Sequence, residues 1–361
     1  MKKKLLIFVI LIVIAIVLYV NYSKKYTGEP DRTGSWSQIN QIVKRDQNWR
    51  QFVDNSSFQL GERKVKGSWS TNDEEEKYYE IKYGTYPSLD GSTVAVPMAI
   101  EFARQHLGLS DQDANDFVAF NTTHIAYENL ILSTPNHLGM IRSTNTFMEE
   151  NHPVDLILAT EPSQDELQLA QENNIQLITR PICYDAFVFI THKDNPIESL
   201  TVEQIQGIYS GEITNWSQVG GNDEKIAAYQ REQNSGSQTA MENLVMKGKT
   251  MLPPNKIKVI QGMGELVEVV GEYENNKSSI GYTYQYYINT LYKNEDIKVL
   301  KINNISSQSD NLKNGSYPFT TNYYGVIRSD DKEGTAGQFL EWILSEEGQR
   351  SIEQAGYIPM R

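Results

Sequence analysis

The chain is predicted to be an α/β protein with parallel sheets, divided into two lobes or domains. From residue 84 onward, short β runs alternate with helical runs. No internal repeat or low-complexity block interrupts that alternation. With 361 residues and 39% hydrophobic content, the chain is long and apolar enough to bury a full core in more than one domain.

In chain order, the amino terminus comes first. Lys2, Lys3 and Lys4 precede an unbroken apolar stretch from Leu5 to Val20, 16 residues long, or slightly longer if extended to Tyr22. A membrane span needs roughly 20 residues, within a range of about 17 to 25. The stretch is therefore a membrane anchor or the core of a signal peptide. The segment 18–22 offers no small residues for cleavage and no cysteine for lipid attachment, so residues 1–22 are read as an uncleaved anchor. The three lysines hold the start of the chain in the cytoplasm and leave everything after Tyr22 outside. Residues 23–83 are polar and irregular and read as a stalk or N-terminal extension. Within them, Ile39, Ile42, Trp49 and Phe52 mark one helix near 37–53, and Asp73 to Glu76 form a solvated acidic turn.

Beyond the stalk, β runs are expected at 117–120, 155–159, 176–178, 186–191, 226–229, 280–284 and 323–327. Helices are expected at 94–107, 125–132, 164–173, 201–209, 238–247, 263–273 and 334–344, each with apolar residues at helical spacing. The single cysteine, Cys183, falls in a mostly apolar run and is read as a buried strand residue, so no internal disulfide forms. Tyr282, Tyr284, Tyr286 and Tyr287 suggest by their alternation a strand with one wet and one buried face.

The net charge of -13 argues against a nucleic-acid partner, because a phosphate polymer is repelled at long range. A small anion is not excluded, since local dipoles and one cation suffice in a deep site while distant surface charges are screened. The run from Arg231 to Thr239 supplies such a place. Ser235, Gly236 and Ser237 open a helix, where backbone N–H groups lack partners and the dipole favours negative charge. Gly236 permits close approach, and Arg231 can add a bidentate fork. Two further helix starts share this chemistry: Asp90-Gly91-Ser92-Thr93, before the helix carrying Pro97, and Asn121-Thr122-Thr123-His124. In open α/β sheets, ligands sit at such strand-to-helix junctions. Plain helix capping is the alternative at each turn taken singly.

No nucleophile elbow, Walker loop or His-Glu-x-x-His pattern is present, and His106, His137, His152 and His192 lack metal-ligand spacing. The chain is accordingly expected to be no enzyme and to need no metal or cofactor.

Several motifs together carry a resemblance. They are the segment 199–205, the segment 208–216 containing Gly211 and Trp216, Gly220-Gly221, Arg231 with Ser235-Gly236-Ser237, Asp90-Gly91-Ser92-Thr93, Ser279 to Tyr282, Gly315 to Pro318, and the end from Ser345 to Gln349 with Gly356 to Pro359. In order and spacing the region 84–361 resembles the phosphate-binding proteins of bacterial ABC importers. The resemblance implies a periplasmic-binding-protein-like fold of type II, with two lobes joined by two crossover strands. Lobe 1 would comprise 84–185 and 281–361, and lobe 2 would comprise 186–280. It also implies inorganic phosphate in the cleft, held by Gly91, Ser92 and Thr93, by Thr122 and Thr123, and by Arg231, Ser235, Gly236 and Ser237. Ser237 stands where the family has Thr. His124 is either a donor to the anion or a structural histidine. The family further sets one carboxylate against the ligand, which accepts the proton that phosphate carries and sulfate lacks. Glu161 lies about where that acid is expected, although a one-residue offset puts Thr160 there instead, and Asp155 is read as structural. The implied function is capture of phosphate, or a similar oxyanion, by an extracellular membrane-tethered protein that delivers it to the membrane subunits of an ABC importer. A non-transport sensor or protein-interaction module with the same two-lobed shape is the alternative.

Overall fold

A computed structural model describes residues 64–69, 77–82, 86–136, 153–253, 259–260, 263–271 and 277–361, all within the compact unit 46–361. The apolar stretch 5–20, the helix expected at 37–53 and the acidic run 73–76 lie outside the described residues. Among the described residues, no helix is long and apolar enough to cross a membrane. Part of the expected irregular stalk is regular: β1 (Lys64–Trp69) and β2 (Lys77–Lys82) pair antiparallel, with Lys64 opposite Lys82.

The main sheet has eight strands. Its path runs through β3 (Leu89–Gly91), β4 (Leu156–Ala159), β13 (Thr320–Arg328), β5 (Leu177–His192), β10 (Ser279–Tyr284) and β7 (Ala227–Ala228), with β11 (Ile297–Val299) and β14 (Ile358–Pro359) also on β5. Small two-stranded pairs complete the set: β6 (Ser199–Leu200) with β12 (Lys301–Ile302), and β8 (Gln230–Arg231) with β9 (Val259–Ile260).

Three expectations need correction. First, the sheet is mixed: only β3–β4 and β10–β7 pair parallel within it, whereas β13, β10, β11 and β14 all run antiparallel to β5, and β13 antiparallel to β4. The cause is β5, a single strand of 16 residues where two separate β runs were expected. Pro181 has no N–H for the ladder, which breaks the sequence signal; in the fold the register shifts between Tyr323 and Tyr324, and β5 carries the extra residue, Ile182, beside the proline. Second, 117–120 is not a strand. Phe117 ends a helix capped by Ser110, and the buried residues Val118 to Phe120 follow outside any ladder. Side chains satisfy this stretch instead: Asn136 Nδ2 donates to Ala119 O at 2.6 Å and Asn121 N donates to Asp90 Oδ1 at 2.8 Å. Third, β10 has no wet face. All six of its residues are buried, because it lies between β5 and β7 with helix packing added.

Seven of the ten α-helices among the described residues fall near their expected positions. The ten are α1 (Val96–Leu107), α2 (Asp111–Phe117), α3 (Thr123–Leu132), α4 (Gln164–Glu172), α5 (Val202–Ser210), α6 (Gly236–Ala240), α7 (Met263–Gly271), α8 (Ser309–Lys313), α9 (Thr335–Leu344) and α10 (Glu346–Gln354). Of these, α2, α8 and α10 were not expected. Capping boxes fix the starts of α4, through Ser163 and Glu166, and α5, through Thr201 and Gln204. The helix expected at 238–247 begins earlier, as α6, and continues from Met241 to Met246 with π-helical bonding.

Two buried carboxylates brace this framework. Asp185, midway along β5, accepts from its neighbour Ala186 N at 2.7 Å, from Tyr286 N at 3.2 Å and from the Tyr323 hydroxyl at 2.9 Å, so it joins β5, β13 and the segment after β10. Asp90 accepts from Gly91 N and Asn121 N on one oxygen and from the side chains of Asn121 and Asn129 on the other, at 2.7 to 2.9 Å. It ties the end of β3 to the turn before α3. The cysteine expected to be buried is so: Cys183 is fully enclosed in β5.

Burial raises the Asp90 carboxyl to about 6 and the Asp185 carboxyl to about 7, against the pull of their hydrogen-bond donors. An acid whose folded pKa exceeds its unfolded value stabilises the fold below the unfolded value of about 4, and loses that contribution as pH rises through the folded one. The melting temperature should therefore fall as pH is raised from about 4 to 7, and fall less steeply in Asp185→Asn; a wild-type melting profile flat across that window would contradict this. Gly91 packs so closely that a Cβ there would lie 2.3 Å from Leu158 O. Gly91→Ala should cost about 1 to 3 kcal/mol in denaturant unfolding.

Candidate anion-binding site

Arg231 ends β8, and the turn to α6 passes through Asn234, whose φ of 63° is a left-handed conformation that Asn tolerates. Two tyrosines of β10 hold this turn from beneath. The Tyr282 hydroxyl accepts from Arg231 N at 3.0 Å and donates to Gln238 Oε1, while the Tyr284 hydroxyl donates to Gly236 O at 2.9 Å. Ser235 is the N-cap of α6, its Oγ accepting from Gln238 N at 3.3 Å. The amides of Gly236 and Ser237, in the first turn, have no acceptor within the helix by construction.

The Arg231 side chain is the unusual feature. It is 7% exposed, its Nε and Nη1 are buried without a hydrogen-bond partner, and it makes no ion pair among the described residues. Burial pulls its pKa below the usual guanidinium value. The adjacent Glu232 carboxyl is itself raised by burial, which weakens it as a counter-charge. Ser237 is fully buried, and its Oγ also lacks a partner. A buried cation and a buried hydroxyl left unsatisfied are each costly, and an oxyanion offers the acceptors both need.

The opposite wall is built from β3, β4 and the turn before α3. Parallel pairing of Gly91 with Leu158 sets the carboxyl ends of the two strands side by side, and Ser92 N donates to Leu158 O at 2.9 Å. Ser92 is buried and Thr93 opens a 3-10 turn. Beyond β4 comes Thr160, buried, with an Oγ1 that makes no well-aligned hydrogen bond yet acts on the nearby Tyr284 phenol. The two walls meet at Gly236, where a Cβ would lie 2.5 Å from Thr160 Oγ1 and 2.9 Å from Thr123 Oγ1. Only glycine fits that approach.

The remaining predicted residues are placed as follows. Thr123 is buried against Gly236, while Thr122, the N-cap of α3, is exposed and makes no side-chain cap bond. His124 pairs through Nδ1 with Glu166 at 2.9 Å, the same carboxylate that closes the α4 capping box, which is the structural histidine of the two readings. Asp155 accepts from Ser88 N at 2.9 Å, a structural bond. Glu161 is exposed and accepts from the Tyr324 hydroxyl at 2.8 Å. A cavity of about 150 Å³ is bordered by Thr160, Glu161, Gly236, Tyr284 and Asn322; of the predicted residues only Glu161 and Gly236 line it, while Ser92, Thr93, Arg231, Ser235 and Ser237 do not. Pockets for drug-sized molecules occupy about 300 to 1,000 Å³, so this space suits a small ion. Among the described residues no cluster of His, Cys, Asp or Glu is arranged to hold a metal.

Sequence reasoning missed Tyr282, Tyr284, Gln238 and Asp90 as the supports of these loops. The alternating tyrosines were visible, but their partners lie 44 to 51 residues away along the chain. No local pattern links the two.

Residues 145–347 match the PBP superfamily domain. The chain is 27% identical over 184 residues to the phosphate-binding protein PstS of Borreliella burgdorferi, covering 49% of this chain and 64% of that protein. It is 22% identical over 240 residues to PstS of Bacillus subtilis, covering 61% and 76%. The chain thus spans a little under two thirds of the first relative's length. Among solved structures, an ABC-type phosphate transport receptor from Vibrio cholerae superimposes with a TM-score of 0.53 at 23% identity, over 76% of this chain and 99% of that one. A Clostridium perfringens protein solved with bound phosphate gives a TM-score of 0.55 at 24% identity, over 76% and 99%. With a superfamily match across more than half its length and a mixed α/β fold shared with these structures, the chain belongs to the periplasmic-binding-protein superfamily.

Proposed function

We propose that the chain is a solute-binding protein that captures inorganic phosphate and presents it to the membrane subunits of an ABC importer. The observation that carries this reading is Arg231: a buried guanidinium with no ion pair, beside the unsatisfied Ser237 hydroxyl and the first turn of α6. Both PstS relatives are phosphate-binding proteins by name, which favours phosphate among oxyanions. In this reading, the region 84–185 with 281–361 forms one lobe and 186–280 the other, with the expected boundaries falling inside β5 and β10. The ligand is held from one side by Gly91, Ser92, Thr93, Thr122 and Thr123, and from the other by Arg231, Ser235, Gly236 and Ser237. Closure of the walls strips water from the anion and replaces it with amides, hydroxyls and the guanidinium. Glu161, bordering the cavity, accepts the proton of phosphate and disfavours sulfate, which has none to give. Residues 1–22 tether the protein to the outer face of the membrane, which keeps the binding region beside its importer.

Calorimetric titration of the purified protein with phosphate, sulfate and molybdate tests the reading, and saturable phosphate binding at one site is the expected result. No heat and no competition with any of the three anions would refute it. Arg231→Ala should weaken phosphate by more than about tenfold, since a charge-assisted bond is worth roughly 1.5 to 3 kcal/mol. Glu161→Gln should narrow the preference for phosphate over sulfate in competition titrations, and a variant that still rejects sulfate fully would place the proton acceptor elsewhere.

A further inference from the structure

Asp165 stands in the first turn of α4, on the segment that leaves β4 through Thr160 and Glu161. Gln233 and Asn234 stand in the turn between β8 and α6, between Arg231 and Gly236. The Asp165 Oδ2 accepts from Asn234 Nδ2 at 2.8 Å and from Gln233 Nε2 at 3.3 Å, joining segments 68 and 69 residues apart. These bonds span the same two walls that meet where Gly236 touches Thr160 and Thr123. Asp165 is not needed to start its own helix, because Ser163 and Glu166 already form the capping box. Asn234 likewise spends its amide on the opposite wall, while its left-handed backbone makes the turn.

We propose that Asp165, with Asn234 and Gln233, is a latch that holds the two walls of the anion site together and slows ligand escape. The inference rests on the anion-binding reading for its ligand, but the latch itself is a contact within the protein. It sits at the rim, touches no ligand, and acts by positioning the turn that carries Arg231 and Gly236. A positioning contact of this kind, lost when the walls part, belongs to the release rate more than to the encounter rate. Its bonds are exposed, so the effect is moderate.

Stopped-flow release and association of phosphate, with hydrogen exchange of the peptides 159–162 and 235–239 in the ligand-free protein, test this in the full chain. Asp165→Ala should speed release about three- to tenfold while association changes less than about twofold, and should accelerate exchange in both peptides. Asn234→Gly keeps the left-handed turn and removes the amide, so it should act in the same direction even if Asp165→Ala folds poorly. The double variant should be no worse than Asp165→Ala alone, because one interaction is being removed twice. Release and exchange unchanged in both single variants, or effects that multiply in the double, would overturn the latch. A wild-type protein that binds no phosphate would refute the functional reading, and the exchange measurement would then decide the latch alone.

Discussion

A guanidinium taken out of water needs acceptors, and among the described residues no carboxylate forms an ion pair with Arg231, although Glu232 and Glu265 favour its charge from a distance. Burial disfavours the charged form of Arg231, as the downward pull on its pKa shows, yet an arginine stays protonated at any physiological pH. The charge therefore persists, and in the proposed function an oxyanion answers it. What surrounds it is chosen to hold position without neutralising it: two tyrosine hydroxyls, a glutamine and a serine. The tyrosines and the glutamine fix the turn without adding charge, whereas the Ser237 hydroxyl is itself unsatisfied.

That arrangement depends on β10, whose tyrosines reach the turn, and β10 in turn depends on β5. Because β5 runs uninterrupted from Leu177 to His192, it carries β13 on its first part and β10 on its second, and so places both walls of the site on a shared spine. Asp185 joins strands and turn near the change of partner, while Asp90 does comparable work at the end of β3. Both carboxylates are surrounded by neutral donors. The protein thus buries carboxyls where geometry must be held, and an unpaired guanidinium in the turn proposed to meet the ligand.

Much of the candidate site could be named from the sequence because helix starts advertise themselves locally. Asp90 to Thr93, Asn121 to His124 and Arg231 to Ser237 could be named from turn residues, capping hydroxyls and the apolar periodicity that follows them. What failed was any inference that required knowing a distant partner. The run 117–120 looks like a strand, since apolar residues in succession satisfy a strand and a buried irregular segment equally; only Asn136 and Asp90, from other parts of the chain, decide between them. Pro181 split one strand into two because the bulge at Ile182 that accommodates it is defined only by pairing with β13, some 140 residues later. The tyrosines of β10 alternate as a half-wet strand would, but helices cover the face that the pattern left open.

By itself, the sequence determined the α/β class, the positions of the helices, the three candidate turns and the cation among them. These are local matters, set by periodicity, capping chemistry and the backbone freedom of glycine. Tertiary structure alone decided that Gly236 would touch Thr123 and Thr160, that Arg231 would be buried without an ion pair, that Ser235 would cap while Ser237 stayed unsatisfied, and that His124 would turn to Glu166. Those outcomes depend on which segments pack together, and packing is settled by the summed burial of surfaces far apart in the chain, which no short window of residues contains.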